Sequence, residues 1–256
     1  MKMKRIFLMK LLVGAAVTSL MPSAQAAIAL DRTRVVFPGS EKSVSLSVRN
    51  QNTELPYLAQ GWLEDERGVK LEGQSAFTVL PPLQRVEPKG QTQVKIQAMP
   101  AASQLPQDRE SLFYFNLREI PPQSDKPNVL QIALQTRIKM FYRPAAIAEA
   151  AAQQQATPYQ EKLTLEKSGD GYTVNNPTPY FVTLIGASAS KGGEVVKGFE
   201  PLMVPPKGSA KLGGSTAALG ATPVLVYVND YGGQPVLTFR CAGNTCQVDE
   251  SKRDNK

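Results

Sequence analysis

Histidine is absent from this chain of 256 residues, and its absence excludes several kinds of active site. Serine–histidine–aspartate and cysteine–histidine triads cannot be built, and neither can zinc or copper sites that use imidazole ligands. Glycine-rich phosphate loops of the P-loop and dinucleotide types are also missing from the sequence. The sequence therefore predicts a protein that is not an enzyme, with no metal, no cofactor and no small-molecule substrate.

One acidic cluster needs separate treatment, because a pair of carboxylates can hydrolyse a glycosidic bond without histidine. That cluster is Glu64-Asp65-Glu66. Neighbouring residues on a strand point to opposite faces of the sheet. We therefore predict a solvated turn that leads into Arg67-Gly68, and not a catalytic pair.

Long apolar runs are lacking except near the amino terminus. Residues 11–21 are apolar, follow a basic stretch and precede the small-residue sequence Ala24-Gln25-Ala26, which is the pattern of a secretory signal peptide. The basic residues are Lys2, Lys4, Arg5 and Lys10. We predict export and cleavage after Ala26. The alternative is an uncleaved membrane anchor, but a transmembrane span needs about 20 apolar residues.

Positive charge is modest once this leader is set aside. The whole chain has a net charge of +7, to which the leader contributes four basic residues and no acidic one. The rest of the chain has no basic tract and no aromatic-and-basic RNA motif. We therefore do not predict nucleic acid as a partner.

The chain has two cysteines, Cys241 and Cys246. In an exported protein this close spacing, with Gly243-Asn244 between them, predicts a disulfide that closes a hairpin or a tight loop. A metal site would need further ligands, and there is no histidine to supply them.

The periodic segments repeat every second residue, as strands do, and turn residues separate them. Strands are predicted over Ile28–Phe37, Ser43–Val48, Tyr57–Leu63, Gln93–Gln97, Leu112–Ile120, Val129–Tyr142, Leu163–Leu165, Tyr172–Val174, Tyr180–Ile185, Val224–Val228 and Val236–Cys241. Short strands separated this regularly indicate an all-β protein built from antiparallel sandwiches.

A change of composition divides the chain in two. Residues 145–157 are rich in alanine and glutamine, with little to bury, and predict a linker or a short surface helix. We place the domain boundary at the start of this segment. Residues 1–26 are then the signal peptide, 27–146 the first β-sandwich domain and 147–256 the second.

One long motif resembles a known family. Residues 105–121 read LPQDRESLFYFNLREIP, which resembles the signature of the periplasmic pilus-assembly chaperones throughout its length. Shorter matches at residues 30–37, 55–60, 141–144, 176–180 and 229–233, together with the cysteine pair, extend the resemblance over nearly the whole chain after the leader.

The resemblance implies two immunoglobulin-like domains set at an angle, with a cleft between them. It implies a periplasmic chaperone that binds, folds and caps pilus subunits by donor-strand complementation and delivers them to an outer-membrane usher. Self-association of the empty protein is also expected, because an exposed apolar edge invites it. The short connection Pro121–Asn128 resembles the family branch that serves rod-like pili.

The donor strand is expected within Val129–Met140. Its apolar side consists of Leu130, Ile132, Leu134, Ile138 and Met140. Alternating strands usually bury the apolar side in their own core, and on the sequence alone that interpretation stays open. By resemblance, Leu130, Ile132 and Leu134 instead enter the groove of a subunit that lacks a strand.

Two further groups of residues take their roles from the resemblance. Arg34 and Lys139 are expected to bind the carboxylate at the subunit's C-terminus, and so to fix where the subunit strand is placed. The alternative is that they are two ordinary surface cations. Glu110, Arg143 and Asp230 are expected to form an ion network that fixes the angle between the domains.

Two other classes of exported, β-rich protein remain open at this point. A fimbrial subunit or adhesin would carry a free N-terminal extension of alternating apolar residues, whereas Ile28–Phe37 resembles the first strand of a chaperone. A carbohydrate-binding module would present exposed aromatic residues, but the single tryptophan, Trp62, is expected to lie in a core strand.

Overall fold

The computed structural model describes residues 26–73, 75–125, 128–148, 153 and 157–252. Residues 1–25 of the predicted signal peptide therefore lie outside the described residues, as does most of the alanine- and glutamine-rich segment. Within the described ranges, none of the helices combines the length and apolar content that a membrane crossing requires.

The first half of the chain folds into two sheets. Its strands are β1 (Ile28–Leu30), β2 (Arg34–Pro38), β3 (Ser43–Asn50), β4 (Tyr57–Asp65), β5 (Phe77–Leu80), β6 (Leu83–Val86), β7 (Gln91–Ala98), β8 (Ser111–Ile120) and β9 (Gln135–Arg143). One sheet has the order β1-β3-β7-β5 and the other the order β2-β9-β8-β4-β6. The ladder between β2 and β9 is parallel, and the other ladders are antiparallel.

The core of this sandwich follows from the period-two pattern. In β3, Leu46 and Val48 are fully buried, while Ser45 and Ser47 are on the other face. Aromatic rings fill the space between the sheets: the ring centroid of Phe77 lies 5.0 Å from that of Phe37 and 5.1 Å from that of Phe113. Each fully buried side chain of this size stabilises the fold by about 1.5–3 kcal/mol.

The second half has its own core and its own strands. They are β10 (Thr164–Ser168), β11 (Gly171–Asn176), β12 (Val182–Ser188), β13 (Leu202–Val204), β14 (Gly208–Leu212), β15 (Val224–Val228), β16 (Val236–Ala242) and β17 (Thr245–Val248). The described residues of this half also include a short α-helix, α1 (Thr216–Leu219), and two short 3₁₀ helices, Tyr159–Lys162 and Glu250–Lys252. The strand order is β13-β12-β15-β16-β17-β10-β11-β14. The expected all-β class is confirmed, and the domain limits at 146 and 147 stay a prediction.

The predicted disulfide is confirmed between Cys241 on β16 and Cys246 on β17. These two residues are direct register partners in the antiparallel pair, and the turn between them contains Gly243 in the left-handed region, at φ 61°. The bond therefore closes a tight hairpin, as the short spacing of the cysteines indicated.

The chain leaves the first sandwich through a close backbone contact. The backbone N–H of Gly39 donates to the carbonyl of Arg143 at 2.7 Å. A Cβ atom at Gly39 would lie 2.9 Å from the Cα of Pro144, so a side chain at this position would push the exit segment away. Glycine is needed here because the end of β2 and the end of β9 approach so closely.

The prediction of a strand over Val129–Tyr142 is wrong at its beginning. The β8–β9 ladder starts with the pair Arg118 and Gln135, and one further bond runs from the Glu119 N–H to the Leu134 carbonyl at 3.0 Å. Residues 129–134 are not in a strand. The connection after β8 therefore runs over residues 121–134, of which 126 and 127 are not described, and is longer than the expected loop Pro121–Asn128.

Two expectations about β4 also need correction. Trp62 does not face the core: Ala59 and Leu63 do, whereas the indole lies on the outer face, half-buried beneath the guanidinium of Arg118 at 5.3 Å from the ring centroid. Glu64 is not in a turn, because the strand continues to Asp65. The turn begins there, where the Asp65 carboxylate accepts the N–H groups of Arg67 and Val69.

Candidate partner-binding edge and cleft

The apolar side of the expected donor strand is divided between two environments. Ile138 and Met140 lie within β9 and are buried in the first core, at 8% and 0% exposure. Leu130, Ile132 and Leu134 precede the strand and are 84%, 64% and 42% exposed. We call residues 129–134 the apolar segment. The apolar side chains of this segment are not buried in the protein's own core.

The apolar segment continues directly into a half-covered sheet edge. Strand β2 pairs only with the second part of β9, from the pair Arg34 and Lys139 to the pair Pro38 and Arg143. The first part, residues 135–138, has β8 on one side and no strand on the other among the described residues. Such an edge offers backbone N–H and C=O groups to an added strand.

Arg34 and Lys139 meet where the covering strand begins. They are register partners across the parallel β2–β9 ladder, and both are half-buried. Each reaches the second sandwich: the Lys139 ammonium donates to the Thr183 hydroxyl at 3.1 Å, and the Arg34 guanidinium donates to the Val228 carbonyl at 3.1 Å. We call these two residues the cation pair.

The cation pair lacks an anion. Burial lowers the pKa of Arg34, and burial together with the positive charge of Arg34 lowers the pKa of Lys139. Neither residue has an ion-pair partner among the described residues, and the Arg34 Nε is buried without a hydrogen-bond partner there. Two partly desolvated cations with unused donors favour an anion at this position.

Glu110, Arg143 and Asp230 come together between the sandwiches. The Arg143 guanidinium donates to the Glu110 carboxylate at 2.8 Å and to Asp230 at 2.7 Å. The second Glu110 oxygen accepts the backbone N–H of Phe181 at 2.8 Å, and the Tyr159 hydroxyl donates to Asp230 at 3.2 Å. We call the three charged residues the ion network. It joins the end of β9 to the turn after β15.

Burial dominates the electrostatics of the ion network. The side chains of Glu110 and Arg143 are 1% and 7% exposed. Burial raises the pKa of Glu110 to about 7, although the charge of Arg143 opposes the rise. For Arg143, burial opposes the charged form, but the carboxylates of Glu110 and Asp230 outweigh it and raise the pKa. The guanidinium is therefore the group on which both carboxylates depend.

Replacing Arg143 with methionine should leave two carboxylates without their cation. We expect the free energy of unfolding to fall by about 3–5 kcal/mol, as it does when one partner of a buried pair is removed. Chemical denaturation measures the loss, and small-angle scattering measures whether the domain arrangement broadens. The control is Arg240→Met, because Arg240 is 70% exposed and pairs with Asp249 at the surface; it should cost less than about 1 kcal/mol. A loss that is equally small at Arg143 would contradict a structural role for the network.

Several contacts of this region could not be found in the sequence. Thr183, Val228 and Phe181 lie in the second half and touch the first only through folding. The ring of Phe181 also lies 5.7 Å from that of Phe141, and an exposed ion pair joins Asp108 to Lys207 at 2.8 Å. Motif resemblance pointed to Glu110, Arg143 and Asp230, which lie in contact in the structure, but it carried no sign of these other partners.

Comparison with known protein families covers most of the chain. Residues 27–148 match the model of the pili and flagellar-assembly chaperone, PapD N-terminal domain. Residues 158–239 match that of the pili assembly chaperone PapD, C-terminal domain.

Individual relatives agree with this match. The chain is 52% identical over 230 residues to the probable fimbrial chaperone YfcS of Escherichia coli K12, covering 90% of this chain and 89% of the relative. It is 48% identical over 243 residues to the chaperone protein PapD of Escherichia coli, covering 95% and 98%. Among solved structures, the Pseudomonas aeruginosa CupB2 chaperone is 32% identical with a TM-score of 0.66, covering 84% of this chain and all of that one.

The periplasmic chaperone SfaE is similarly close in structure, at 31% identity and a TM-score of 0.63, covering 82% of this chain and 98% of that one. These likenesses extend over both sandwiches, so the expected two-domain fold is confirmed and the fimbrial-subunit and carbohydrate-module alternatives are not supported. The chain therefore belongs to the pilus-assembly chaperones, a family of periplasmic, non-enzymatic folding and assembly factors.

Proposed function

We propose that this protein binds pilus subunits that lack a strand and lends them its apolar segment together with the uncovered edge of β9. Residues 27–146 are then the subunit-binding domain, and residues 147–256 are the second domain that completes the cleft. The observation that carries the proposal is the exposure of Leu130, Ile132 and Leu134, at 84%, 64% and 42%, next to a strand edge that has no pairing strand among the described residues.

The apolar segment supplies most of the affinity in this proposal. Burying a side chain of this size gains about 1.5–3 kcal/mol, so three of them supply roughly 5–9 kcal/mol before ordering costs. The segment has no strand structure in the free protein, and ordering its backbone opposes binding. Backbone hydrogen bonds along residues 135–138 then select an extended partner over other shapes.

The cation pair supplies the position at which the partner strand stops. A terminal carboxylate at this place would accept charge-assisted hydrogen bonds from Arg34 and Lys139, each worth about 1.5–3 kcal/mol. The buried Nε of Arg34 is one unused donor available for it. Strand β2 occupies the edge from Arg34 onward, so the partner would run parallel to β9 and end where β2 begins.

The ion network holds the second sandwich against the cation pair. Val228 is the last residue of β15 and Asp230 lies two residues further on, and each contacts the first half through a different cation, Arg34 or Arg143. Fixing Asp230 therefore also fixes the cleft wall that holds Arg34. We assign Glu110, Arg143 and Asp230 this positioning role.

Export and delivery complete the proposed function. The leader is removed after Ala26, and the mature protein delivers its bound subunits to an outer-membrane usher. The names of its relatives as fimbrial chaperones support this role. When no subunit is bound, the exposed apolar segment favours self-association through the same edge.

A peptide that corresponds to the C-terminal strand of a pilus subunit tests the proposal. We expect it to bind with its carboxylate free, and to lose about tenfold or more in affinity when the carboxylate is amidated, because at least one charge-assisted bond is then lost. Isothermal titration calorimetry measures both affinities. Equal affinities would remove the cation pair from the mechanism, and no binding of either peptide would contradict the donor role of the segment.

A further inference from the structure

A buried carboxylate lies at the end of β8, apart from the ion network. Glu119 is 6% exposed and shares the core-facing side of the strand with Phe115 and Leu117. One carboxylate oxygen accepts the backbone N–H of Ile28 at 2.9 Å. Ile28 belongs to β1, which is in the opposite sheet. The carboxylate therefore joins the two sheets of the first sandwich.

Glu119 has no ion-pair partner among the described residues. None of the ion pairs found there includes its carboxylate. An ionised carboxylate that is removed from water without a positive partner is costly. A single amide N–H satisfies one of its oxygens only in part. The site is therefore electrostatically incomplete.

The residue that precedes Ile28 is held beside this carboxylate. The carbonyl of Ala27 accepts the N–H of Gln51 at 2.7 Å, while the N–H of Ile28 donates to Glu119. The peptide group between Ala27 and Ile28 is therefore fixed at both ends. Consecutive backbone nitrogens lie less than about 4 Å apart, so the nitrogen of Ala27 lies within roughly 7 Å of the carboxylate.

We propose that Glu119 is the binding site for the α-ammonium group of Ala27, which exists only after the leader has been removed. Hydrolysis of the bond between Ala26 and Ala27 consumes one water molecule. It releases Ala26 as a carboxylate and leaves the nitrogen of Ala27 as a primary amine, which takes up a proton. The inference rests on the proposed cleavage site and not on subunit binding.

The position of Glu119 connects this site to the apolar segment. Its own backbone N–H donates to the carbonyl of Leu134 at 3.0 Å, the hydrogen bond that joins the apolar segment to β8. Its side chain holds β1 on the opposite face. Removal of the leader therefore completes an ion pair beside Leu134, where the apolar segment joins β8. This part of the first sandwich is then more stable in the mature protein than in its precursor.

A double-mutant cycle tests this site in proteins exported from the full-length precursor. One change inserts Gly-Ser between Ala26 and Ala27, which moves the ammonium away; the other is Glu119→Gln, which retains an acceptor for Ile28. Mass spectrometry verifies each N-terminus. We expect the insertion to lower the Tm by about 5 °C in the parent and by less than about 1 °C in the Glu119→Gln protein. The control Glu87→Gln, at an exposed residue paired with Arg85, should keep the full effect of the insertion.

Equal effects of the insertion in the parent and in the Glu119→Gln protein would overturn the proposal, and so would a mature N-terminus other than Ala27. A second measurement covers the case in which Glu119→Gln is poorly folded: the rate at which an acylating reagent modifies the α-amine of the folded parent. We expect it to be about tenfold slower than in the protein with the insertion, because an ion-paired ammonium is held protonated. Equal rates contradict the site. Peptide binding by the same proteins tests the donor role of the apolar segment independently of the Glu119 site.

Discussion

Aspartate in place of Ile132 should abolish binding of pilus subunits and leave the free protein folded. The side chain is 64% exposed and outside any strand, so we expect the free energy of unfolding to change by no more than about 0.5 kcal/mol. In the complex, the change removes about 1.5–3 kcal/mol of apolar burial and places a charge in an apolar groove. The combined effect should weaken binding more than a hundredfold, since each 1.4 kcal/mol is tenfold.

Ile138 provides the matched control for this experiment. Like Ile132 it is an isoleucine on the apolar parity of Val129–Met140. At 8% exposure, however, it is part of the first core. The change Ile138→Asp should therefore destabilise the first sandwich by several kcal/mol. Chemical denaturation and peptide titration on both variants separate the two roles. If Ile132→Asp unfolded the protein as Ile138→Asp does, the apolar segment would belong to the protein's own core.

Methionine in place of Lys139 should reduce subunit affinity by about 10–100-fold, because one or two charge-assisted bonds to the terminal carboxylate are lost. Stability should not fall. Burial already lowers the pKa of Lys139, and the neighbouring charge of Arg34 lowers it further, so the folded protein gains when this ammonium is removed. Methionine also keeps most of the apolar stem that packs beside β2.

The control for this variant is Lys95→Met. Lys95 lies on the exposed face of β7, in the other sheet of the first sandwich, and should affect neither binding nor unfolding. Titration with the free-acid peptide measures the affinity, and chemical denaturation of the unliganded protein measures the free energy of unfolding. Unchanged binding by Lys139→Met would exclude the cation pair as the carboxylate site. A large loss of stability would show that the ammonium serves the fold.

Period-two patterns were sufficient to predict the sandwich, but not the limits of its strands. Apolar residues recur at every second position from Leu130 to Met140 except at Thr136, and nothing in this pattern shows that pairing starts only at Gln135. The β8–β9 pairing begins where Gln135 is opposite Arg118, although β8 itself continues to Ile120 and is paired with β4 there. The same alternation could have placed Trp62 correctly. Ala59 and Leu63 already defined the core side of β4, and Trp62 has the other parity.

Local spacing and long-range contacts differ in how far they could be predicted. The disulfide could be predicted because Cys241 and Cys246 are five residues apart in the sequence. Family resemblance singled out Arg34 and Lys139. In the structure they are opposite each other in the β2–β9 ladder. The contacts of Lys139 with Thr183 and of Arg34 with Val228 join residues that are 44 and 194 positions apart. Only the packed arrangement of two sandwiches brings such residues together, and composition does not encode it.

If the proposed binding mode is correct, the parallel ladder of β2 on β9 also limits which proteins can be bound. Because β2 takes the outer side of β9 from Lys139 onward, a visiting chain has no room to continue past that residue. Its last residue, and not a recognition sequence, then sets the alignment of every residue before it. Subunits with quite different sequences could dock in one register, provided that each presents a free end at the same distance from its groove. A subunit extended by even a short tag at that end should be rejected.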